Sequence, residues 1–216
     1  MQKPDADRFE NDFASIMERT RRAISKTCLR WKLRKVFGGL GYSFIASNCI
    51  GGRFSQILGE QYLSPTVGLW FAPSDFLRFV ENLHANLASD PVMDDKASAI
   101  HGCPVGIIND IRIVFLHYPN FEVALQRWNA RRKRVAADKI VLISSDRDGA
   151  TYEQMKQFDA LPFERKILFT HKPYPELRSA VVIEERNGSE HVGELYSRWH
   201  LLNAALPMRL LKKMST

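Results

Sequence analysis

Apolar residues recur at intervals of three and four over residues 8–36: Phe9, Phe13, Ile16, Met17, Thr20, Ile24, Cys28 and Trp31, with basic residues largely between them. That period is one face of an α-helix and predicts a single long helix. "FGGLG" at 37–41 ends it, since glycines are poor helix formers and good C-terminal caps. From residue 42 the pattern changes, and short apolar runs alternate with stretches of helical period. "YSFIAS" predicts a first strand and "GRFSQILGEQ" a first helix. "VGLWF" reads as a short strand, and "PSDFLRFVENLHANLA" as one helix with Ser74 at its N-cap. "PVGIIN" and "IRIVFLHY" flank Asn109-Asp110, a tight-turn pair, and predict a hairpin. "NFEVALQRWNARRKRV" puts Phe121, Ala124, Leu125 and Trp128 on one helix face. "KIVLISS", "TYEQMKQFDAL" and "KILFTHK" form a strand–helix–strand unit; "SAVVIEE" is a late strand and "GELYSRWHLLNAAL" the final helix.

This alternation predicts an α/β fold, a layered domain with a mostly parallel central sheet. Its expected limits are residues 38–216, after a basic amphipathic N-terminal helix over 1–37. In such sheets, sites gather beyond the carboxyl ends of the strands. Four polar clusters fall there: "SNC" after the first strand, "HY" after "IRIVFL", "SDRDG" after "KIVLIS" and "THK" after "KILF".

Composition narrows the picture. The 216 residues, 45% of them apolar, suit one sizeable domain. The longest apolar runs fall well short of the roughly 20 residues of a membrane-spanning helix, and "MQKPDADRFENDF" lacks a signal-peptide layout. The expected location is cytoplasmic, with peripheral contact at the inner membrane face. Three cysteines, Cys28, Cys49 and Cys103, form no C-x-x-C pair, which argues against a disulfide framework and a cysteine zinc site. The net charge of +7 is concentrated in Arg19, Arg21, Arg22, Lys26, Arg30, Lys32, Arg34 and Lys35, and again in Arg209, Lys212 and Lys213. Anionic partners fit this balance: acidic lipid or a phosphorylated substrate, with nucleic acid weakest for want of any binding signature.

"YSFIASNCIGGRFSQILG" poses the sharpest chemical question. Gly51 and Gly52 predict a sharp turn or the close approach of a ligand. The following helix directs its unpaired amides and positive dipole end toward Ser47, Asn48 and Cys49. An anion is stabilised there, whether a phosphate or a developing oxyanion. Cys49 is a candidate nucleophile and Ser47 the other, with Asn48 as oxyanion donor. Buried cysteine and ordinary helix capping explain the same residues structurally.

His117 ends an apolar strand as a candidate general base, and Tyr118 follows it. Arg127, Arg131 and Arg134 share one helix face, and their guanidinium forks suit phosphates and carboxylates. Asp146 and Asp148 follow a strand two residues apart, a spacing that can hold a divalent cation against a diphosphate or simply make a turn. His171 is a weaker candidate.

Taken together, "IASNCIGG", "YLSPTVGLWF…DFLRFVENL", "PVGIINDIRIVFLHYPNFEVALQRWNARRKRV" and "DRDGATYEQMKQFDALPFERKILFT" resemble a bacterial family carrying a domain of unknown function. Its members are commonly labelled exopolysaccharide or capsule biosynthesis proteins, and the resemblance spans residues 40–185. Ile50 stands where that pattern usually has an aromatic, and Val123 where it often has an acid, with Glu122 just before it. The family's histidine, tyrosine, tryptophan and arginine positions fall on His117, Tyr118, Trp128, Arg131 and Arg134. Asn48-Cys49 is also similar to an Asn-Cys that follows the first strand of polysaccharide acyltransferases.

The resemblance implies a surface-polysaccharide (exopolysaccharide, capsule or lipopolysaccharide) biosynthesis protein. The favoured expectation is a transferase acting on a sugar or lipid-linked sugar by acyl transfer, with acyl-CoA as donor. Cys49 or Ser47, Asn48 and His117 would be catalytic, and Gly51, Gly52, Tyr118, Arg131 and Arg134 would bind substrate. The alternatives are a glycosyltransferase holding a nucleotide-sugar and a divalent metal at Asp146 and Asp148, and a non-enzymatic accessory protein binding anionic glycolipid.

Overall fold

The computed structural model describes the backbone over residues 5–184 and 189–213, and the side chains over 15–184, 189–208 and 210–211. The side chains of Phe9, Phe13, Arg209, Lys212 and Lys213 lie outside the described residues.

The first half of the chain forms α1 (Asp5–Phe37), β1 (Ser43–Ala46), α2 (Ile50–Leu58), α3 (Pro73–Glu81), α4 (Leu83–Ala88), β2 (Val92–Met93) and α5 (Asp95–His101). It continues through β3 (Val105–Ile108), β4 (Ile111–Val114), α6 (Phe121–Arg132), β5 (Ile140–Ser145), α7 (Tyr152–Ala160), β6 (Lys166–Thr170) and β7 (Ala180–Val182). Helices α8 (Trp199–Ala205) and α9 (Met208–Lys213) close it. No described helix is long and apolar enough to cross a membrane.

The architecture is α/β, as the alternating pattern predicts. Strands β1, β5, β6 and β7 pair in that order, all parallel. Each strand feeds two cores through its two faces. Phe44, Ala46, Val141, Ile143, Ile167 and Phe169 pack with α1, α2 and α8, while Ile45, Leu142 and Leu168 pack with α3, α6 and α7. Burial on both faces is why these strands read as continuous apolar runs, with no polar residue alternating.

A second, antiparallel sheet, β2-β3-β4, covers part of one layer. Its hairpin turns at Asn109 and Asp110, with φ of 48° and 64°. Two successive positive φ values match the twist of the strands, and Asn and Asp tolerate them. Of the stretch "IRIVFLHY", Ile111–Val114 belongs to this small sheet, outside the parallel one, and His117 and Tyr118 follow in a turn instead of ending the strand. "VGLWF" makes only one bridge to it, Trp70 with Val114.

Other elements depart from the periodic reading. The expected single helix from Pro73 breaks into α3 and α4 at Asn82, where φ is −116° and ψ 41°. The Asn86 amide donates to the carbonyls of Arg78 and Phe79 at 3.3 and 2.9 Å, satisfying groups that the break leaves open. Ala72 takes the N-cap position and Pro73 the first turn, so Ser74 lies inside the helix. The last helix begins at Trp199, because the Glu194 carboxylate accepts from the Tyr196 and Ser197 amides and turns the chain first.

Helix α1 covers the stretch that the period predicts. Its packed face is Leu29, Leu33, Val36 and Phe37, which enter the core beside α2 and α8. The longer stripe turns outward: Ile16, Met17, Ile24 and Trp31 are 53%, 55%, 59% and 58% exposed. A helix can carry two apolar series, and the domain meets only the one present in the last turns.

Candidate functional site

The first strand leaves the sheet through Ser47, Asn48 and Cys49. Ser47 is buried and its backbone joins layers, donating to the Ile143 carbonyl at 3.1 Å and accepting from the Phe71 amide at 2.9 Å. Cys49 holds the N-cap position of α2, with φ −62°. The Asn48 Oδ1 accepts from the Ile50 amide at 3.2 Å. That bond orients the side chain, leaving Nδ2 as a donor, and the next amides of the helix, Gly51 and Gly52, have no intrahelical acceptor.

The two glycines serve packing, and neither makes the sharp turn that was expected. Both lie in the first turn of α2, and neither has a positive φ. A Cβ on Gly51 would lie 2.8 Å from the Ala46 Cβ and 2.9 Å from the Phe44 carbonyl oxygen. One on Gly52 would lie 2.8 Å from Cγ1 of Val67. The bare Gly51 lets α2 settle against β1 and the bare Gly52 lets it settle against the Val67 loop, which fixes Cys49 at the strand's carboxyl end. Gly52 also borders a hollow; Gly51 is buried against the strand.

His117 arrives from the other sheet. Its amide donates to the Gly68 carbonyl at 3.3 Å, and Gly68, at φ 78°, accommodates the Tyr118 ring 3.3 Å from where its Cβ would be. The imidazole Nε2 then lies 3.2 Å from the Cys49 Sγ. Burial, followed by the nearby Glu194 carboxylate, pushes the Cys49 thiol above its ordinary range. The resting thiol is neutral near pH 7, and Nε2 is positioned to accept its proton when the proton of the ring sits on Nδ1.

Two hollows meet at this pair. The first, about 460 Å³, is mainly apolar, with Trp70, Leu116, Phe169 and Leu195 among its walls and Ser144, Ser145 and Asn48 at the strand ends. The second, about 410 Å³, carries Gln56, Tyr62, Tyr118, Arg127 and Arg131. Cys49, His117 and Tyr196 border both. The Arg131 guanidinium donates to the Tyr118 hydroxyl at 2.6 Å and the Val67 carbonyl at 3.2 Å, and lies 5.1 Å over the Tyr62 ring. Burial pushes the Tyr118 phenol up, so it stays protonated and donates to the Val67 carbonyl at 2.7 Å. Among the described residues neither Arg127 nor Arg131 pairs with a carboxylate.

The remaining candidates fall elsewhere. Asp146 is buried with both oxygens engaged. Oδ2 accepts from the His171 amide at 2.7 Å and meets its Nδ1 at 2.6 Å, and Oδ1 accepts from the Val192 amide at 2.7 Å. Asp148, at φ 60°, lines the apolar hollow and accepts from Trp70 Nε1 at 3.1 Å. The two acids thus do not face one point, and among the described residues no group of three or more His, Cys, Asp or Glu side chains could hold a metal ion. Arg134 donates to the Tyr62 carbonyl at 3.2 Å, bordering neither hollow. Trp128 is buried, donating to the Ser89 carbonyl at 3.2 Å. Trp70, Leu116, Glu194 and Tyr196 lie in stretches whose pattern reads as strand or helix but which fold as loop or, at Trp70, as a single bridge, so nothing in the pattern marked them as site residues. Only Arg127, on the face shared with Arg131, was legible beforehand.

Comparison with known proteins fits this arrangement into a family. The description "Domain of unknown function (DUF1919)" matches residues 18–211. The chain belongs to the DUF1919 family. An uncharacterized protein of Haemophilus influenzae is 32% identical over 194 residues, covering 89% of this chain and 90% of that protein. The matched DUF1919 segment contains both hollows and the Cys49–His117 pair.

Proposed function

We propose that this DUF1919 protein is a transferase of surface-polysaccharide synthesis that moves an acyl group from a thioester such as acyl-CoA to a sugar hydroxyl. The observation that carries the reading is the Cys49 Sγ beside the His117 Nε2, 3.2 Å apart where two hollows join. The polysaccharide context rests on the sequence resemblance; a place in the cytoplasm at the inner membrane face rests on the short apolar runs, the N-terminal layout and the basic first helix.

Nε2 of His117 takes the thiol proton as Sγ attacks the acyl carbonyl. The oxyanion that forms is held by Asn48 Nδ2 and the open amides of α2. The donor's sulfur departs as a thiolate and receives the proton from His117, leaving the acyl group on Cys49. A sugar hydroxyl then attacks that thioester, His117 takes the hydroxyl proton, and the Cys49 thiolate recovers it as the ester leaves. The apolar hollow suits the acyl side. Arg127 and Arg131 suit a phosphate-bearing end of a substrate.

The test is to incubate the protein with acetyl-CoA and map adducts by mass spectrometry. An acetyl group on Cys49, lost in Cys49→Ala and retained in Ser47→Ala, is the expected result. Several acyl-CoA chain lengths that all leave Cys49 unmodified would overturn the reading.

A further inference from the structure

We infer that α1 is an interfacial anchor that lays its outward apolar stripe into an anionic lipid surface. Ile16, Thr20, Ile24 and Trp31 follow one another at intervals of four, four and seven, hence along one side of the helix. The three large apolar side chains among them are each more than half exposed. They lie opposite Leu29, Leu33 and Val36, the residues that fasten the helix to the domain. The stripe therefore points away from the protein along its whole described length.

Charge decides what covers it. Residues 15–37 carry eight lysines and arginines against one acid, Glu18. On the helical wheel Arg30 borders the stripe on one side, and Arg21 and Lys35 on the other, while Lys32 and Arg34 donate to the Asn203 and Leu58 carbonyls of the domain. Glu18 is already paired with Arg22 at 2.8 Å. A second copy of this helix laid face to face would set cations against cations. An anionic lipid surface does the opposite, because the long basic side chains reach its headgroups while the apolar stripe enters the acyl boundary. Trp31 has the amphipathic ring favoured at that depth. The anchored turns of α1 pack on α2, the helix that begins at Cys49, so the anchor would hold the candidate site close to a lipid-borne substrate.

Flotation with phosphatidylcholine vesicles, with and without phosphatidylglycerol, tests this. Binding is expected only to the anionic vesicles, weakening with salt, with a blue shift of emission that Trp31→Phe abolishes. Ile24→Glu and the pair Arg21→Glu, Arg30→Glu should each weaken binding about tenfold or more. These exposed positions leave the core intact, which an unchanged melting curve verifies. Absence of binding to either vesicle, or anionic binding indifferent to Ile24→Glu, overturns the inference. So does a dimer in sedimentation equilibrium that Ile24→Glu dissociates. Acetylation of Cys49 by soluble acetyl-CoA should be unaffected by Ile24→Glu, so the two proposals fail separately.

Discussion

The Sγ of Cys49 and the Nε2 of His117 are 3.2 Å apart, yet the cysteine follows a strand of the parallel sheet and the histidine a strand of the antiparallel one. Their meeting depends on how the two sheets are held together, through the Phe71 amide on the Ser47 carbonyl and the Trp70–Val114 bridge. Groups brought together in that way are sensitive to packing far from the pair itself.

If His117 is the base, His117→Ala should lower acyl transfer by about 10²–10⁴-fold, the usual worth of a positioned acid–base group. Single-turnover acetylation of Cys49 measures it directly. An undiminished rate would remove His117 from the mechanism.

The raised thiol predicts a pH effect of definite sign. Alkylation of Cys49 by iodoacetamide, followed by peptide mapping, should rise at higher pH than for a free thiol in a model peptide, because burial and Glu194 both disfavour the thiolate. Glu194→Gln should move the midpoint down by removing the nearby negative charge.

Asp146 and Asp148 should separate by stability. Asp146→Ala strips the His171 and Val192 amides of their acceptor in a buried place and should cost about 3 kcal/mol. For a chain of this size that corresponds to a fall in Tm of roughly 6–12 °C. Asp148→Ala removes one bond to Trp70 and should cost about 1 kcal/mol or less. Equal melting temperatures for the two variants would contradict the assignment.

Asp159 gives the fold an acid-sensitive clasp. Burial raises its pKa, but bonds from the Ser179 amide and hydroxyl and the Arg178 amide outweigh this, with Lys166 adding to the lowering. Its folded pKa therefore lies below its unfolded value. The stabilisation is full above about pH 4 and is lost as pH falls through the folded pKa. Asp159→Asn should destabilise the protein by about 1–3 kcal/mol at pH 7 in urea melts, with the gap to wild type narrowing below pH 4.

Gly51→Ala should destabilise by about 1–3 kcal/mol, since its Cβ meets the backbone of β1 at 2.9 Å and the strand cannot move aside cheaply. Cys49 should also lose its register with His117, so acetylation falls alongside Tm. A variant as stable and active as wild type would show that α2 need not sit so close.

Local chemistry along the chain was enough to place most elements. Runs such as "KIVLISS" announce buried strands because both their faces meet apolar layers, and Asn109-Asp110 announces the hairpin because few residues accept two positive φ values. The helical period also found α1 and one apolar side of it, yet the core meets a different series, Leu29, Leu33 and Val36, since periodicity reports that a side is apolar and is silent on what lies against it. Ser47 and Cys49 were both candidate nucleophiles in sequence, yet Ser47 is still held in the ladder between the layers, whereas by Cys49 the chain has turned into α2 and leaves the thiol at the hollow. Asp146 and Asp148 looked like a pair until left-handed backbone at Asp148 and the His171 and Val192 amides drew them apart. Residue types and spacing are local quantities and determined the elements and the candidate chemistry. Which side chains share a hollow is a distance between segments remote in sequence, such as residues 49 and 117, and only tertiary packing decides it.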